Sequence, residues 1–134
     1  MKHAVRRIAR LAATLVVAAS IWACNAPFIP VPPPGHIAFT GQTVPDGAGG
    51  EKTVWTTQGG ANEQASSALF FVYDSDQGAG VIQRANTDGS FTAPPMDGTR
   101  GDHVHIYFQN PKGEYSPETC RLLMDGVPDA PLCP

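Results

Sequence analysis

Ala68-Leu69-Phe70-Phe71-Val72-Tyr73 (ALFFVY) is the stretch that decides the fold. Six residues without a charge, rich in aromatic and β-branched side chains, read as a strand rather than a helix. Successive side chains on a strand point to opposite faces. Ala68, Phe70 and Val72 therefore share one face, and Leu69, Phe71 and Tyr73 share the other. Apolar residues on both faces imply a strand covered on both sides, or one that keeps a surface for a partner.

On the C-terminal side, Val81 to Ala85 is strand-like and leads into Asn86-Thr87-Asp88-Gly89-Ser90-Phe91. Asp-Gly between two strand-like runs predicts a hairpin, since glycine tolerates the positive φ of a tight turn. Phe91 then returns the chain to the core. His103 to Phe108 (HVHIYF) alternates cleanly, with Val104, Ile106 and Phe108 on one face and His103, His105 and Tyr107 on the other. Asn110-Pro111-Lys112-Gly113 reads as a turn, and Tyr115 to Leu123 as a last strand. On the N-terminal side, Ile37 to Thr40 is a short alternating run ending at Gly41. Val54 to Thr57 is a weaker candidate, and Glu63 to Ala68 fits one turn of helix. No 11-residue window beyond the N-terminal segment carries a convincing helical period. Six or seven short strands, punctuated by Gly and Pro, predict an all-β, single small antiparallel β-sandwich over residues 36–134.

The stretch from Phe70 to Gly113 resembles the immunoglobulin-like and carboxypeptidase-regulatory-like (prealbumin-like) β-sandwich modules of bacterial surface lipoproteins. Ala85, Asp88-Gly89-Ser90-Phe91 and Gly101-Asp102 carry the resemblance: a turn before a strand, then Gly-Asp opening the next. The resemblance implies a spacer, adhesion unit or accessory domain with no catalysis. The front half departs from it, because Pro45 to Ser67 is longer than the compact hairpin expected there.

The N-terminus reads as an export signal. Lys2, Arg6, Arg7 and Arg10 precede the uncharged, apolar run Leu11 to Ala23, which is too short for the roughly 20 residues of a spanning helix. Residues 1–23 are expected to form a signal helix removed on maturation. Ile21-Trp22-Ala23-Cys24 resembles a bacterial lipobox, with Trp22 where a small or hydroxyl residue is usual. That resemblance implies cleavage before Cys24 and its acylation by fatty chains such as palmitate; two or more chains hold a protein stably on a membrane. With Cys24 acylated, Cys120 and Cys133 are left to pair as a disulfide, closing a loop of about 14 residues worth roughly 3 kcal/mol. Residues 24–35, with five prolines between Asn25 and Gly35, read as a polyproline tether of about 30 Å at about 3.1 Å per residue. The expected location is the bacterial cell envelope, lipid-anchored, with the outer membrane favoured over the inner.

Loss of the signal leaves five cations (Lys52, Arg84, Arg100, Lys112, Arg121) against twelve carboxylates, a formal charge of −7. So acidic a chain, without a basic patch, argues against nucleic acid and against electrostatic adhesion to anionic lipid. The partners expected are the membrane, through the acyl anchor, and an envelope protein or polysaccharide.

Few residue patterns suggest chemistry. His103 and His105 point the same way from one strand and are the candidate metal pair, with Asp102, Tyr107 or His36 as possible third ligands. The same two histidines equally serve as the polar side of an amphipathic strand. Asp74-Ser75-Asp76 opens like a calcium loop, but Ala79 and Ala85 stand where that template needs glycine and glutamate, so an exposed acidic turn is expected. Trp55, Tyr107 and Tyr115 are candidates for a binding face, or for partly buried cover over a thin core. No nucleophile elbow, metalloprotease helix or phosphate loop is present. The expectation is a non-enzymatic, lipid-anchored interaction module without a cofactor; the alternative is a small metal-binding envelope protein using His103 and His105.

Overall fold

The computed structural model describes residues 30–134. The expected signal segment, residues 1–23, and Cys24 lie outside the described residues. From Ile37 onward the chain forms eight strand segments: β1 (Ile37–Pro45), β2 (Glu51–Gly59), β3 (Leu69–Asp74), β4 (Ala79–Arg84), β5 (Phe91–Thr92), β6 (Met96–Asp97), β7 (His103–Gln109) and β8 (Thr119–Leu122). A single 3-10 turn, Glu63–Ala65, precedes β3. All strand pairs are antiparallel. One sheet runs β1-β2-β5 with β6 also on β2, and the other runs β4-β3-β7-β8. This is the all-β, two-sheet sandwich that the alternation predicted.

The core lies between the sheets. Phe70 and Val72 from β3, with Val104, Ile106 and Phe108 from β7, meet Ile37, Phe39 and Trp55 from the opposite sheet. Phe91 stacks on Phe70 with ring centroids 4.0 Å apart, and Phe108 packs against Phe70 at 5.2 Å. Two glycines make room for these rings. A Cβ on Gly41 would press on the Trp55 indole at 3.2 Å, and one on Gly59 would overlap the Phe91 ring. That close approach also explains why β1 continues through Gly41 rather than ending there: Gly41 faces Trp55 across the ladder.

Two further differences have local causes. The glycine-rich segment after Pro45 is the tight turn of a long β1–β2 hairpin. Asp46 Oδ1 accepts hydrogen bonds from the amides of Ala48 (2.7 Å) and Gly50 (2.9 Å) and fixes its shape. The Asp88-Gly89 turn forms, with Gly89 at φ 82°, but its flanking strands do not pair with each other. It carries the chain from β4 in one sheet to β5 in the other, where Phe91 pairs with Gly59 of β2.

A C-terminal strap closes one side of the sandwich. The Ala130 amide donates to Ile37 O (2.6 Å), and the Ile37 amide donates to Asp129 Oδ1 (3.0 Å). The Leu122 amide donates to Pro131 O (2.9 Å). The Cys120–Cys133 disulfide, with Cα atoms 5.4 Å apart, pins the strap to β8. The strap therefore joins the first strand of one sheet to the last strand of the other. At the other terminus, the described part of the Pro-rich segment has no regular secondary structure, and Val31 packs against the core.

Candidate functional site: the outer face of the β4-β3-β7-β8 sheet

The two outer faces of the sandwich differ sharply in chemistry. On the β1-β2 sheet, Trp55 and Thr57 point inward. The outer side carries Ala38, Thr40, Gln42 and Val44 of β1 and Lys52, Val54, Thr56 and Gln58 of β2, small and polar residues with no aromatic ring among them. On the other sheet, Leu69, Phe71 and Tyr73 of β3 face outward beside Ile82 of β4 and Tyr107 of β7. Ile82 is 60% exposed and Tyr115 59%. Phe71 lies opposite both Ile82 and Tyr107 in register. Its ring stacks on Tyr107 at 4.8 Å with an interplanar angle of 10°, and Tyr115 leans on both rings. Cross-strand aromatic pairs of this kind are favourable in themselves, and here they also hold an apolar surface in one shape.

A groove of about 580 Å³ crosses this face. Its floor is Phe71, Tyr73 and Tyr107, and Ile82 forms one wall. Gly80 lies opposite Tyr73 in the β3–β4 ladder, and the Tyr73 ring lies close over it, where a Cβ would approach the ring at 3.2 Å. At the far end stand His105 and Glu118.

The sequence candidates sort as follows. Tyr107 and Tyr115 lie on this face. Trp55 does not: it is 3% exposed, and its indole Nε1 donates to Gly98 O (3.0 Å) in the core. His103 and His105 do share the outer side of β7, but each has its own carboxylate. His103 Nδ1 is 2.9 Å from Asp76 Oδ2, and His105 Nδ1 is 2.6 Å from Glu118 Oε1. His36 sits at the start of β1, 3.9 Å from Asp129. Asp102 accepts from Gln77 Nε2 (2.9 Å) and the Thr99 amide (2.7 Å). Among the described residues no three His, Cys, Asp or Glu side chains converge on a position that would hold a metal ion. Among the described residues, then, no third ligand stands beside His103 and His105.

The acidic turn after β3 is built from its own hydrogen bonds. Asp74 Oδ1 accepts from the amides of Asp76 (2.9 Å) and Gln77 (3.0 Å). Its Oδ2 is buried with no partner among the described residues. Burial pushes the Asp74 carboxyl above the ordinary range, outweighing the two amide donors, and neighbouring Asp102 adds in the same direction. Asp76 behaves oppositely: hydrogen bonds from the His103 amide (2.7 Å) and imidazole hold it below the ordinary value.

Sequence reasoning did not single out Phe71, Ile82 or Glu118 as site residues. Phe71 had a signal, since ALFFVY is apolar on both faces. Glu118 had none, because its place beside His105 depends on how β8 is approached. No protein-family model, curated protein or solved structure matches this chain.

Proposed function

We propose that this protein is an exported, lipid-anchored envelope protein whose β-sandwich is a non-catalytic interaction module, and that the outer face of the β4-β3-β7-β8 sheet is its binding surface. One observation carries the reading. One outer face mixes threonine, glutamine and lysine with Ala38, Val44 and Val54 and carries no aromatic ring, whereas the other presents a stacked aromatic floor with two large residues, Ile82 and Tyr115, about 60% exposed. Contiguous exposed apolar surface rimmed by polar groups is the mark of an interaction site. The tether and anchor readings come from the Pro-rich segment and from the resemblance of Ile21 to Cys24 to a lipobox. The likeness of Phe70 to Gly113 to prealbumin-like lipoprotein modules supports the same placement at the cell envelope.

The anchor is tested by the intact, non-reduced mass of the full chain recovered from bacterial membranes. The reading predicts a chain that begins at Cys24, carries acyl groups, and is two hydrogens short for one disulfide. Cys24→Ser should move the protein from the membrane to the soluble fraction. An unacylated chain would remove the anchor from the account.

A further inference from the structure

We propose that the groove between β4 and β7 receives a cationic side chain, arginine above all, carried on an extended segment of a partner protein that runs along the open edge of β4. The proposal deepens the interaction reading and rests on it.

The charge around the groove argues for the cation. Among the described residues no lysine or arginine lines it, while Glu118 does, with its side chain 54% exposed. The carboxylate lies 2.6 Å from His105 Nδ1, and that contact holds it at the end of the groove. Asp76, paired with His103, adds a second carboxylate on the same side of the sheet. Arg84, on the outer side of β4, donates to Ser67 O (3.0 Å) rather than to these carboxylates. The floor is aromatic, and a guanidinium over an aromatic face, with a carboxylate at one end, satisfies its charge and its planar donors together. A second copy of this chain is a poor occupant, since two strongly acidic molecules would meet at their acidic rims.

The edge argues for the extended segment. β4 pairs with β3 alone, and its central residues, Gly80 to Gln83, are uncharged. It lacks the lysines or prolines that usually guard an edge strand. A peptide strand added to β4 would make backbone hydrogen bonds along it. Gly80 lets the Tyr73 ring lie close over β4, where a Cβ would come within 3.2 Å of it, so that ring is the first aromatic surface a side chain from the added strand would meet.

The test is a titration of full-length, isotope-labelled protein in detergent micelles, read by NMR. The probe is a blocked pentapeptide, Thr-Val-Arg-Val-Thr, and the control carries citrulline, the uncharged isostere, in place of arginine. The arginine peptide should shift the β4 amides and the rings of Phe71 and Tyr107. Citrulline should weaken binding about fivefold or more, and Glu118→Gln should do the same. Equal affinity for the two peptides, shifts confined to other surfaces, or no shift at millimolar peptide would each overturn the cationic occupant. Binding of chitotetraose on the same rings, without the arginine peptide, would overturn it too, yet would keep the aromatic face as a binding surface. If neither probe binds and no partner contacts the face in cells, the interaction reading falls with it.

Discussion

Phe108 is completely buried and touches the Phe70–Phe91 stack at the centre of the sandwich. Phe108→Ala should cost about 3–5 kcal/mol, read from the midpoint of a urea unfolding curve with an unchanged slope. Asp74 tests the buried carboxylate. Its folded-state pKa is raised, so its contribution to stability is complete below the unfolded value near 3.8 and is lost as pH rises through the folded value. Asp74→Asn keeps the acceptor for the Asp76 and Gln77 amides and removes the charge. The variant should therefore gain on the wild type at neutral pH, and the gap should narrow as the pH falls below about 4; a constant gap would contradict the burial argument. At this scale the sequence was readable where alternation was strong. HVHIYF sorted Val104, Ile106 and Phe108 inward without error. Trp55 was not assignable, because threonines on both sides of β2 blur its period and the ring's burial depends on Gly41 and Gly98 lying beneath it.

The elements show why turns are easier to read than destinations. Asp88-Gly89 encodes a local positive-φ turn whatever follows, whereas the pairing of Phe91 with Gly59 is set by a ring that must reach Phe70 in the core. β1 and β2 are longer than their apolar runs, since their ends are hydrogen-bonded ladder over a polar outer face. Position alone, rather than pattern, makes the C-terminal strap: it has no regular strand, and its stability comes from the disulfide and from Ala130, Asp129 and Pro131 bonding to other elements. Changing Cys120 and Cys133 together to serine should cost about 3 kcal/mol in urea unfolding. It should also expose the Leu122 and Ala130 amides, whose hydrogen bonds hold the strap to β8 and β1, to faster hydrogen exchange, while the β3–β7 amides keep their order of protection. The turn carboxylates respond to acid in the opposite sense from Asp74. Asp46, Asp76 and Asp88 all have lowered pKa values from hydrogen bonds within their turns. Their contributions are complete above about pH 3.8 and are lost as the pH falls through their folded values, so acid should loosen these three turns before the core.

For the whole molecule, the asymmetry between the two outer faces organises the account. A sandwich that only spaced other domains would have no aromatic outer face, and this one has a ring-free face of small and polar residues backed by a stacked aromatic one. Both faces of ALFFVY were visibly apolar in the sequence, but which of them lay open was not, because that depends on the second sheet covering only Phe70 and Val72. The groove itself was not readable, since it joins Gly80, Tyr107 and Glu118 from three separate strands and approaches. The central claim is that this face meets a partner at the envelope. It is tested most directly by placing a photo-crosslinking residue at Ile82, and separately at Thr40 on the opposite face, and irradiating intact cells. A discrete adduct at Ile82 that is absent at Thr40, and lost when Tyr107→Ala is added, is the predicted result. Adducts of equal yield at both positions, or none at Ile82, would contradict it.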